Sequence, residues 1–562
     1  MSTRTTTRDL LDAPPFRPEL VAAYRAAGLW GTATIATELS AIAAAHPDLE
    51  AVVAQQGRRT YAELDAETDR IATGLLDLGL RPGERVVLQV TNRLESVVAW
   101  YAVLKAGLVP VATLAAHRRH EIDQVSRQAE ATAHLVERDL AFDLVAFAHS
   151  VATGHPTLRH VLTIGGDLAA SANGTTAVET LGAGVRPDVA ADRVAAVQAA
   201  IDPDDVAVLQ LSGGTTGVPK LIPRRHAEYW YNARAYADRL GFTAGTRVAH
   251  LIPVIHNAGI SCAVHAAHAV GGCLVLGTPD ALASAPLLGR ERAEFAVIGH
   301  GHFQALGTPG FLEQATSLTG VLLSGTKVPD ALFADLERRG IWVGQLFGMA
   351  EGLFTASRHE DPREARLRSV GTPISELDEV RVLEPGTEDP VAPGAVGELC
   401  CRGPYTIPGY YAATPEQHAA AFTSDGFYRT GDLARWASYG GVDHLLIEGR
   451  IKDVINRGGE KINAEEVELL LMQHPAVLQV AVVSMPDRRL GERSCAYVVT
   501  SGGLDLAAVQ KHFASLEVAK FKWPERIEVV DELPRTKVGK VDKKTLRDAV
   551  AALVAGHQAA GS

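Results

Sequence analysis

Two hydrophobic spacings alternate along the first half of the chain. Apolar residues at Ile71, Leu75 and Leu78 recur every three to four positions, which is typical of the buried face of a helix. The short apolar runs 86–90 and 108–111 are bounded by turn residues and favour strands instead. This alternation of helix and strand predicts layered α/β domains.

Local signals indicate where some of these elements begin and end. Thr60 and Glu63 form the pair of a capping box, in which both side chains accept from backbone N–H groups at a helix start. A second helix is predicted over residues 96–105. Residues 164–200 are rich in Ala, Gly and Thr, so we predict a surface connection there, and the pattern resumes at 206.

The pattern becomes strand-rich from about residue 375. Residues 379–383 and 397–403 are predicted strands with turn signals between them. A last block, from about residue 450 onward, carries a predicted helix over 464–472 together with strands and a second helix of its own. We therefore predict a domain boundary near 449–450.

Length, charge and cysteine content narrow the class of protein. At 562 residues the chain is too long for one compact core. Its 54 basic and 66 acidic residues give a net charge of −12, which argues against a nucleic-acid partner and favours small-molecule work. Five irregularly spaced cysteines indicate a reducing compartment. No stretch predicts a signal peptide or a membrane span, so we expect a cytoplasmic protein without a membrane partner.

The run Leu-Ser-Gly-Gly-Thr-Thr-Gly-Val-Pro-Lys at 211–220 is the strongest single indication of chemistry. It follows the predicted buried strand 206–211. Glycines let backbone N–H groups turn toward an anion, and hydroxyl and lysine side chains add donors, which suits a polyphosphate. No Gly-Lys-Ser/Thr closes the run, so it is not a Walker loop. On its own, such a run also occurs as an ordinary turn.

Five further segments bring charged or aromatic residues into the argument. They are residues 345–351, 428–432, 449–453, 457–462 and 537–540. The charged residues in them also have ordinary interpretations. Glu351 could cap a helix, Asp432 could be a turn residue in a tight loop, and Lys540 could be one solvated charge among several.

Histidine spacing raises the alternative of a zinc site. His265 and His268 stand three residues apart on a predicted helix, and His300 and His302 follow a predicted strand. No cysteine pair or carboxylate stands at ligand spacing, so packed or surface imidazoles are favoured.

In this order, the six segments resemble the core motifs of the adenylate-forming superfamily, which includes acyl-CoA synthetases, luciferases and nonribosomal-peptide adenylation domains. The resemblance covers about residues 33–546. It is strongest to stand-alone aryl acid–AMP ligases, such as the 2,3-dihydroxybenzoate and salicylate activators of siderophore assembly. The segments that carry this finer resemblance are 221–224, 256–257, 348–352 and 456–461.

The resemblance implies a fold, a domain order and a reaction. Residues 1–448 would form a large N-terminal domain of layered α/β subdomains with a small β-rich subdomain, holding the aryl acid and ATP pockets. A hinge at 449–453, which includes Lys452, would lead to a small mobile α+β C-terminal domain at 454–562. The acid and ATP would give aryl-AMP with release of pyrophosphate.

The resemblance also implies roles for individual residues. Lys540, Glu351 and His256 would be catalytic, and Glu351 would hold Mg²⁺ on the phosphates of ATP, because hard cations prefer oxygen ligands. The residues implied to bind ATP are Ser212, Gly213, Gly214, Thr215, Thr216, Gly217, Lys220, Gly325, Thr326, Phe347, Gly348, Met349, Ala350, Asp432 and Arg450. The residues implied to bind the acid are His256, Asn257, Ala258, Cys262, Ser324, Gly325, Leu346 and Gly348. Retention of the charged members argues against a non-catalytic binding module of the same fold.

Several acids satisfy these residues. The Asn257 amide donates to or accepts from an ortho hydroxyl or amino group, so it does not separate the two. By resemblance, Cys262 and Leu346 favour salicylate over 2,3-dihydroxybenzoate. Ala258 and Ser324 depart from the family pattern, and Ala258 enlarges the pocket. Anthranilate-type acids (including 3-hydroxyanthranilate), hydroxypicolinate and quinaldate-type acids are therefore the alternatives.

The acyl acceptor is implied by the family and by length. The chain ends soon after Lys540, so we expect an aryl carrier protein to act in trans through its phosphopantetheine thiol. Free coenzyme A is the alternative, which would make the protein an aryl-CoA ligase.

Overall fold

The computed structural model of the chain describes residues 13–167, 174–212, 219–325, 328–457, 460–516, 518, 520–536 and 540–560. The chain divides into two compact units, which are Met1–Glu379 with Cys401–Tyr428, and Val380–Cys400 with Arg429–Ser562. The second unit includes residues 380–400 and 429–448, which the sequence analysis grouped with the large domain. The predicted hinge at 449–453 stays a prediction.

Helices alternate with strands through the first unit, as the hydrophobic pattern predicted. The α-helices are α1 (Pro18–Ala26), α2 (Ile35–Ala45), α3 (Tyr61–Asp77), α4 (Leu94–Lys105), α5 (Arg119–Gln128), α6 (Leu144–Ala152), α7 (Pro187–Gln198), α8 (His226–Arg239), α9 (Asn257–Gly259), α10 (His265–His268), α11 (Ala281–Arg290), α12 (Phe303–Leu306), α13 (Pro309–Leu312), α14 (Asp330–Arg338), α15 (Arg363–Arg368), α16 (Pro415–Ala421), α17 (Ala464–Met472), α18 (Leu506–Ser515) and α19 (Lys543–Ala560). Short 3₁₀ turns lie at Val178–Thr180, His300–His302, Ile451–Asp453 and Lys520–Lys522, and a π-helical turn lies at Ile260–Val264. The predicted capping box at the start of α3 is confirmed, since Thr60 and Glu63 make both of its hydrogen bonds.

The strands of the two units pair into four sheets among the described residues. They are β1 (Glu50–Ala54), β2 (Gly57–Thr60), β3 (Arg85–Val90), β4 (Val109–Leu114), β5 (Ala133–Glu137), β6 (His160–Ile164), β7 (Thr175–Ala177), β8 (Val206–Leu211), β9 (Leu221–Arg225), β10 (Arg247–His250), β11 (Cys273–Leu276), β12 (Phe295–Gly299), β13 (Gly320–Ser324), β14 (Trp342–Met349), β15 (Gly352–Ala356), β16 (Thr372–Pro373), β17 (Glu379–Leu383), β18 (Gly397–Arg402), β19 (Tyr428–Tyr439), β20 (Val442–Arg450), β21 (Val454–Arg457), β22 (Glu460–Asn463), β23 (Val477–Asp487), β24 (Gly491–Thr500) and β25 (Arg526–Val529).

Two large, mostly parallel sheets form the body of the first unit. One has the order β16-β15-β14-β13-β12-β10-β11-β1-β2, and the other has the order β7-β6-β5-β3-β4-β8-β9. β3 and β4 are buried along their whole length, as expected of parallel strands with both faces covered. The mixed α/β fold class is therefore confirmed.

The second unit carries smaller sheets. β17, β18, β19 and β20 follow one another in a four-stranded sheet. A five-stranded sheet has the order β22-β21-β24-β23, with β25 paired to β24. Helix α17 packs on β23 and contributes Val467 and Leu471 to a buried apolar cluster. This α+β arrangement agrees with the small C-terminal domain that the resemblance implied.

One stretch was predicted wrongly. Residues 164–200 were expected to be a surface connection, but they contain β7 and helix α7. Ala190 and Val194 of α7 are buried, and the helix packs against α3. Its alanine-rich sequence carries little amphipathic contrast, so the helical period was hard to see.

One carboxyl group of the first unit is held away from water. The Tyr405 hydroxyl and the Ser375 N–H both donate to Asp378 Oδ2. Asp378 Oδ1 is buried without a hydrogen-bond partner among the described residues. Burial raises the pKa of Asp378 to about 7, although the hydrogen bonds and Arg239 lower it.

We expect Asp378→Asn to change how stability depends on pH. The unfolded chain loses this proton near pH ~3.9, whereas the folded chain keeps it up to about pH 7. Between these values the folded state binds more protons, so the wild type loses stability as pH rises and the variant does not share this loss. The melting temperature of the wild type minus that of the variant should therefore fall between about pH 4.5 and about pH 7.5.

The exposed neighbour Glu376 supplies the control. Glu376→Gln removes a negative charge from the same turn without touching a buried carboxyl group. A wild-type minus Asp378→Asn difference that stays flat or rises with pH would contradict the assignment.

Candidate active site

Arg224 of β9 is a fully buried cation that joins three parts of the first unit. Its Nε and Nη2 donate to the two carboxylate oxygens of Glu228, in helix α8, at 2.9 and 2.7 Å. Its Nη1 donates to the carbonyl oxygen of Ala350 at 2.9 Å. Burial opposes the charge, but Glu228 holds the pKa of Arg224 above its usual value. The strand after the glycine-rich run is thus tied to the residue before Glu351.

The carboxyl ends of β13 and β14 gather the predicted acid-binding residues. Ser324, the last residue of β13, pairs in register with Leu346 of β14. The turn Asn257–Gly259 packs against β14, and Cys262 lies in the same buried apolar cluster as Leu346. Ligands of open α/β sheets bind at this edge. The structure brings these residues together, and their contact with an acid stays a prediction.

Asn257 is held by its side-chain oxygen. The Tyr229 hydroxyl donates to Asn257 Oδ1 at 2.8 Å, and Arg224 Nη1 donates to the same oxygen at 3.4 Å. His256 caps the turn, since its Nδ1 accepts from the Ala258 N–H at 3.3 Å. Asn257 is buried, whereas Ala258 is partly exposed. The amide is therefore fixed by the protein before any ligand is bound.

Glu351 stands between β14 and β15, so it is not the helix cap that was considered as an alternative. It is buried, and its Oε1 accepts from the Tyr410 hydroxyl at 2.8 Å. The Tyr410 hydroxyl also shares a hydrogen bond with that of Tyr428 at 2.9 Å. Lys220 Nζ lies 4.5 Å from the centre of the Tyr410 ring. Glu351 Oε2 has no hydrogen-bond partner among the described residues, which leaves an oxygen for a hard cation.

β14 changes from buried to accessible along its length. Its residues 343–346 are buried, whereas Phe347 and Met349 are partly exposed and Gly348 is exposed. Gly325, just beyond β13, has a φ of 103°, a conformation that glycine adopts without steric cost. These surfaces are open to a ligand, as a nucleotide site requires.

The ends of the glycine-rich run are joined. The Ser212 N–H donates to the Lys220 carbonyl at 3.0 Å, and the Lys220 N–H donates to Ser212 Oγ at 2.9 Å. Thr326, a predicted ATP-binding residue, lies outside the described residues. The predicted phosphate ligands between Ser212 and Lys220 also lie outside them, and they are Gly213, Gly214, Thr215, Thr216 and Gly217.

In the second unit, Asp432 faces Arg450 across paired strands. The two residues oppose each other in the β19–β20 register, and Arg450 Nε donates to Asp432 Oδ1 at 2.8 Å. Asp432 was predicted in a tight loop, but it lies inside β19, one residue after Gly431 with its φ of 70°. Burial raises the pKa of Asp432, and the charges of Arg450 and Lys540 oppose this rise.

The charges of two lysines, Lys452 and Lys540, act on the carboxyl group of Asp432. Lys452 lies in the 3₁₀ turn after β20, and burial, followed by the nearby Arg450 charge, lowers its pKa. Lys540 is exposed, and its N–H donates to Thr536 Oγ1 at 3.2 Å. The predicted ribose, hinge and catalytic residues of this unit therefore interact electrostatically.

Two of the histidines that raised the zinc alternative, His265 and His268, are packing groups. His265 Nε2 accepts from the Trp100 indole at 3.0 Å, and His268 hydrogen-bonds Tyr101 at 2.7 Å. His265 and His268 are fully buried, and burial lowers the pKa of each imidazole. No group of three or more possible metal ligands occurs within the part of the chain that the structure describes.

Sequence reasoning missed Tyr410 and Tyr229. Both hydroxyls orient a predicted site residue, Glu351 in one case and Asn257 in the other. Tyr410 is 59 residues from Glu351 along the chain, so no local spacing pointed to it. Arg224 and Glu228 stand four residues apart, but Arg224 lies in β9 and Glu228 in α8, so the helical i, i+4 rule gave no signal for this ion pair.

Two family models match the chain. Residues 39–411 match the model of the AMP-binding enzyme, and residues 466–540 match that of the AMP-binding enzyme C-terminal domain. The chain belongs to the AMP-binding enzyme family. The resemblance to the adenylate-forming superfamily is therefore confirmed.

Several relatives are similar to this chain over nearly its whole length. Triostin synthetase I from Streptomyces triostinicus is 40% identical over 95% of this chain and 97% of the relative. A salicylyl-CoA synthase / salicylate adenylyltransferase from Streptomyces sp is 39% identical over 95% and 97%. The apo structure of MbtA from Mycobacterium smegmatis is 35% identical, covers 96% of this chain and 98% of its own, and has a TM-score of 0.71.

The predicted activity class follows from this membership. The protein is an adenylate-forming acid–AMP ligase, and ATP is its nucleotide substrate. Within the described residues, no helix is long and apolar enough to cross a membrane.

Proposed function

We propose that this enzyme activates an ortho-substituted aryl carboxylic acid, with salicylate as the first candidate. One oxygen of the acid's carboxylate bonds to the α-phosphorus of ATP, the bond from that phosphorus to the β-bridging oxygen breaks, and pyrophosphate leaves with the electron pair. The observation that carries the proposal is the buried Asn257 amide, whose turn packs against β14, the strand that carries Leu346.

The first unit would bind the phosphates and the adenine. Lys220 and the glycine-rich run would hold the β- and γ-phosphates, and Phe347 would lie against adenine. A bound Mg²⁺ would neutralise phosphate charge during the displacement. The residues present fit this ion, because Glu351 is anchored by Tyr410 through one oxygen and keeps the other available.

We expect Tyr410→Phe to raise the Mg²⁺ concentration needed for half-maximal activity by about tenfold, as loss of an orienting partner does at metal sites. Magnesium titrations of acid-dependent pyrophosphate–ATP exchange measure this. Tyr428→Phe is the matched control, because it leaves the Tyr410–Glu351 bond in place. An unchanged Mg²⁺ requirement in Tyr410→Phe would remove Glu351 as the ligand.

The second unit would bind the ribose and supply the catalytic cation. Asp432 would accept from the ribose hydroxyls with Arg450 beside it, and Lys540 would bridge the acid carboxylate and the α-phosphate. We infer that Lys452 lies at the hinge about which Lys540 arrives and leaves. The charge of Lys540 opposes the rise in the pKa of Asp432, which supports a catalytic cation near the predicted ribose ligand.

Lys540→Ala should lower pyrophosphate–ATP exchange at least about a hundredfold, because a cation is lost where negative charge develops. Thioester formation from supplied aryl-AMP should be largely spared. Lys544→Ala, on the helix that follows, removes an exposed cation of the same kind and serves as the control. Equal loss of both steps in Lys540→Ala would contradict the role in adenylation alone.

The acceptor we propose is the phosphopantetheine thiol of a carrier protein acting in trans, in siderophore or secondary-metabolite synthesis. The similarity to a salicylyl-CoA synthase favours a second candidate, free coenzyme A. The five cysteines are buried and form no disulfide, which agrees with a reducing compartment, and we propose the cytoplasm.

A panel of acids tests the substrate. We expect salicylate to support the fastest exchange of labelled pyrophosphate into ATP, with 2,3-dihydroxybenzoate at least about tenfold slower, since the buried Cys262 and Leu346 leave a second hydroxyl poorly paired. Benzoate, which lacks an ortho group, is the control, and quinaldate tests the space beside Ala258. No exchange with any aryl acid would end the proposal.

A further inference from the structure

The oxygen of Asn257 is already occupied within the protein. Tyr229 and Arg224 both donate to Oδ1, at 2.8 and 3.4 Å. Arg224 has only donors, and it cannot lose its proton in a protein. An amide turned the other way round would place its NH₂ against these two groups, so one orientation is favoured.

A third residue fixes the direction of the Tyr229 hydroxyl. Gln210 Nε2 donates to the Tyr229 oxygen at 3.1 Å, so the tyrosine proton is left for Asn257. Gln210 and Tyr229 are buried, and the Arg224 guanidinium lies 4.3 Å from the centre of the Tyr229 ring. Burial raises the pKa of Tyr229, which keeps this hydroxyl protonated. The hydrogen bonds therefore run in one direction, since Gln210 donates to Tyr229 and Tyr229 donates to Asn257.

Asn257 Nδ2 is the polar atom that this arrangement leaves for a ligand. It has no acceptor among the described residues, although the side chain is buried beside β14. We propose that Tyr229 and Arg224 are positioning residues that hold Asn257 with its N–H group toward the acid, so that the enzyme selects aryl acids whose ortho position accepts a hydrogen bond. This inference rests on the proposed function.

The two classes of ortho substituent differ at this contact. A salicylate hydroxyl donates to its own carboxylate and turns its oxygen outward as an acceptor. The ring nitrogen of a pyridine- or quinoline-2-carboxylate also accepts. An anthranilate amino group donates one proton to its carboxylate and keeps another N–H facing outward, so it would meet Asn257 donor to donor. A buried donor left unpaired in this way costs binding.

The test compares salicylate with anthranilate by kcat/KM in pyrophosphate–ATP exchange. We expect the wild type to prefer salicylate at least about tenfold. Tyr229→Phe keeps the ring but removes the shorter of the two hydrogen bonds to Asn257 Oδ1, so the amide turns more readily. The preference should then shrink several-fold, with a lower KM for anthranilate and a higher one for salicylate. Tyr236→Phe, seven residues along the same helix, is the control, because the buried Tyr236 hydroxyl has no partner among the described residues. Its preference should match the wild type.

Asn257→Asp decides the question if Tyr229→Phe does not fold. It replaces the N–H donor by a carboxylate oxygen at the same position, so preference should move toward anthranilate. The inference would be overturned if the wild type used anthranilate as well as salicylate, or if Asn257→Asp kept the wild-type preference. Either result would leave the proposed activation of aryl acids intact. Absence of exchange with every aryl acid would overturn the proposed function and this inference with it.

Discussion

The buried ion pair of Arg224 and Glu228 is the interaction on which the described part of the first unit's site depends. A guanidinium without exposed surface is tolerable only if its charge is matched and its N–H groups are bonded. Arg224 meets both conditions by reaching Glu228, the Ala350 carbonyl and the Asn257 oxygen. One desolvated cation thereby links the strand after the glycine-rich run, the segment that carries Glu351, and the amide of the predicted acid pocket.

Much of the fold could be predicted because many of its helices and strands are encoded by local sequence patterns. The apolar run 206–211 and the helix at 464–472 have the bounds that the sequence indicated. Elements defined by distant packing were harder. Helix α7 is alanine-rich, so its buried side is visible only once α3 lies against it. Asp432 was misplaced because Gly431 reads as a turn, whereas its positive φ is accommodated within a strand.

The candidate site, too, could be predicted from the sequence only in part. The sequence order of the motifs identified the superfamily, which the family models confirm. What no motif conveys is how one side chain orients another. Tyr410 contacts Glu351 across 59 residues and Tyr229 contacts Asn257 across 28, and the direction of each proton depends on a third group. Under the proposed function, substrate choice would depend on these polar contacts, which a residue-by-residue comparison of pocket-lining positions does not reveal.

The π-helical turn at Ile260–Val264 offers a way for the predicted acid pocket to change between related proteins. It carries one residue more than a regular helical turn would, and each residue rotates a helix by about 100°. It stands between Asn257 and the buried pair His265 and His268. Removal of one residue here would favour regular α-helical winding and rotate the residues after it by about 100° relative to those before it. A single-codon deletion would therefore change which side chains this turn presents to the predicted acid pocket, and the buried imidazoles of His265 and His268 would need new packing.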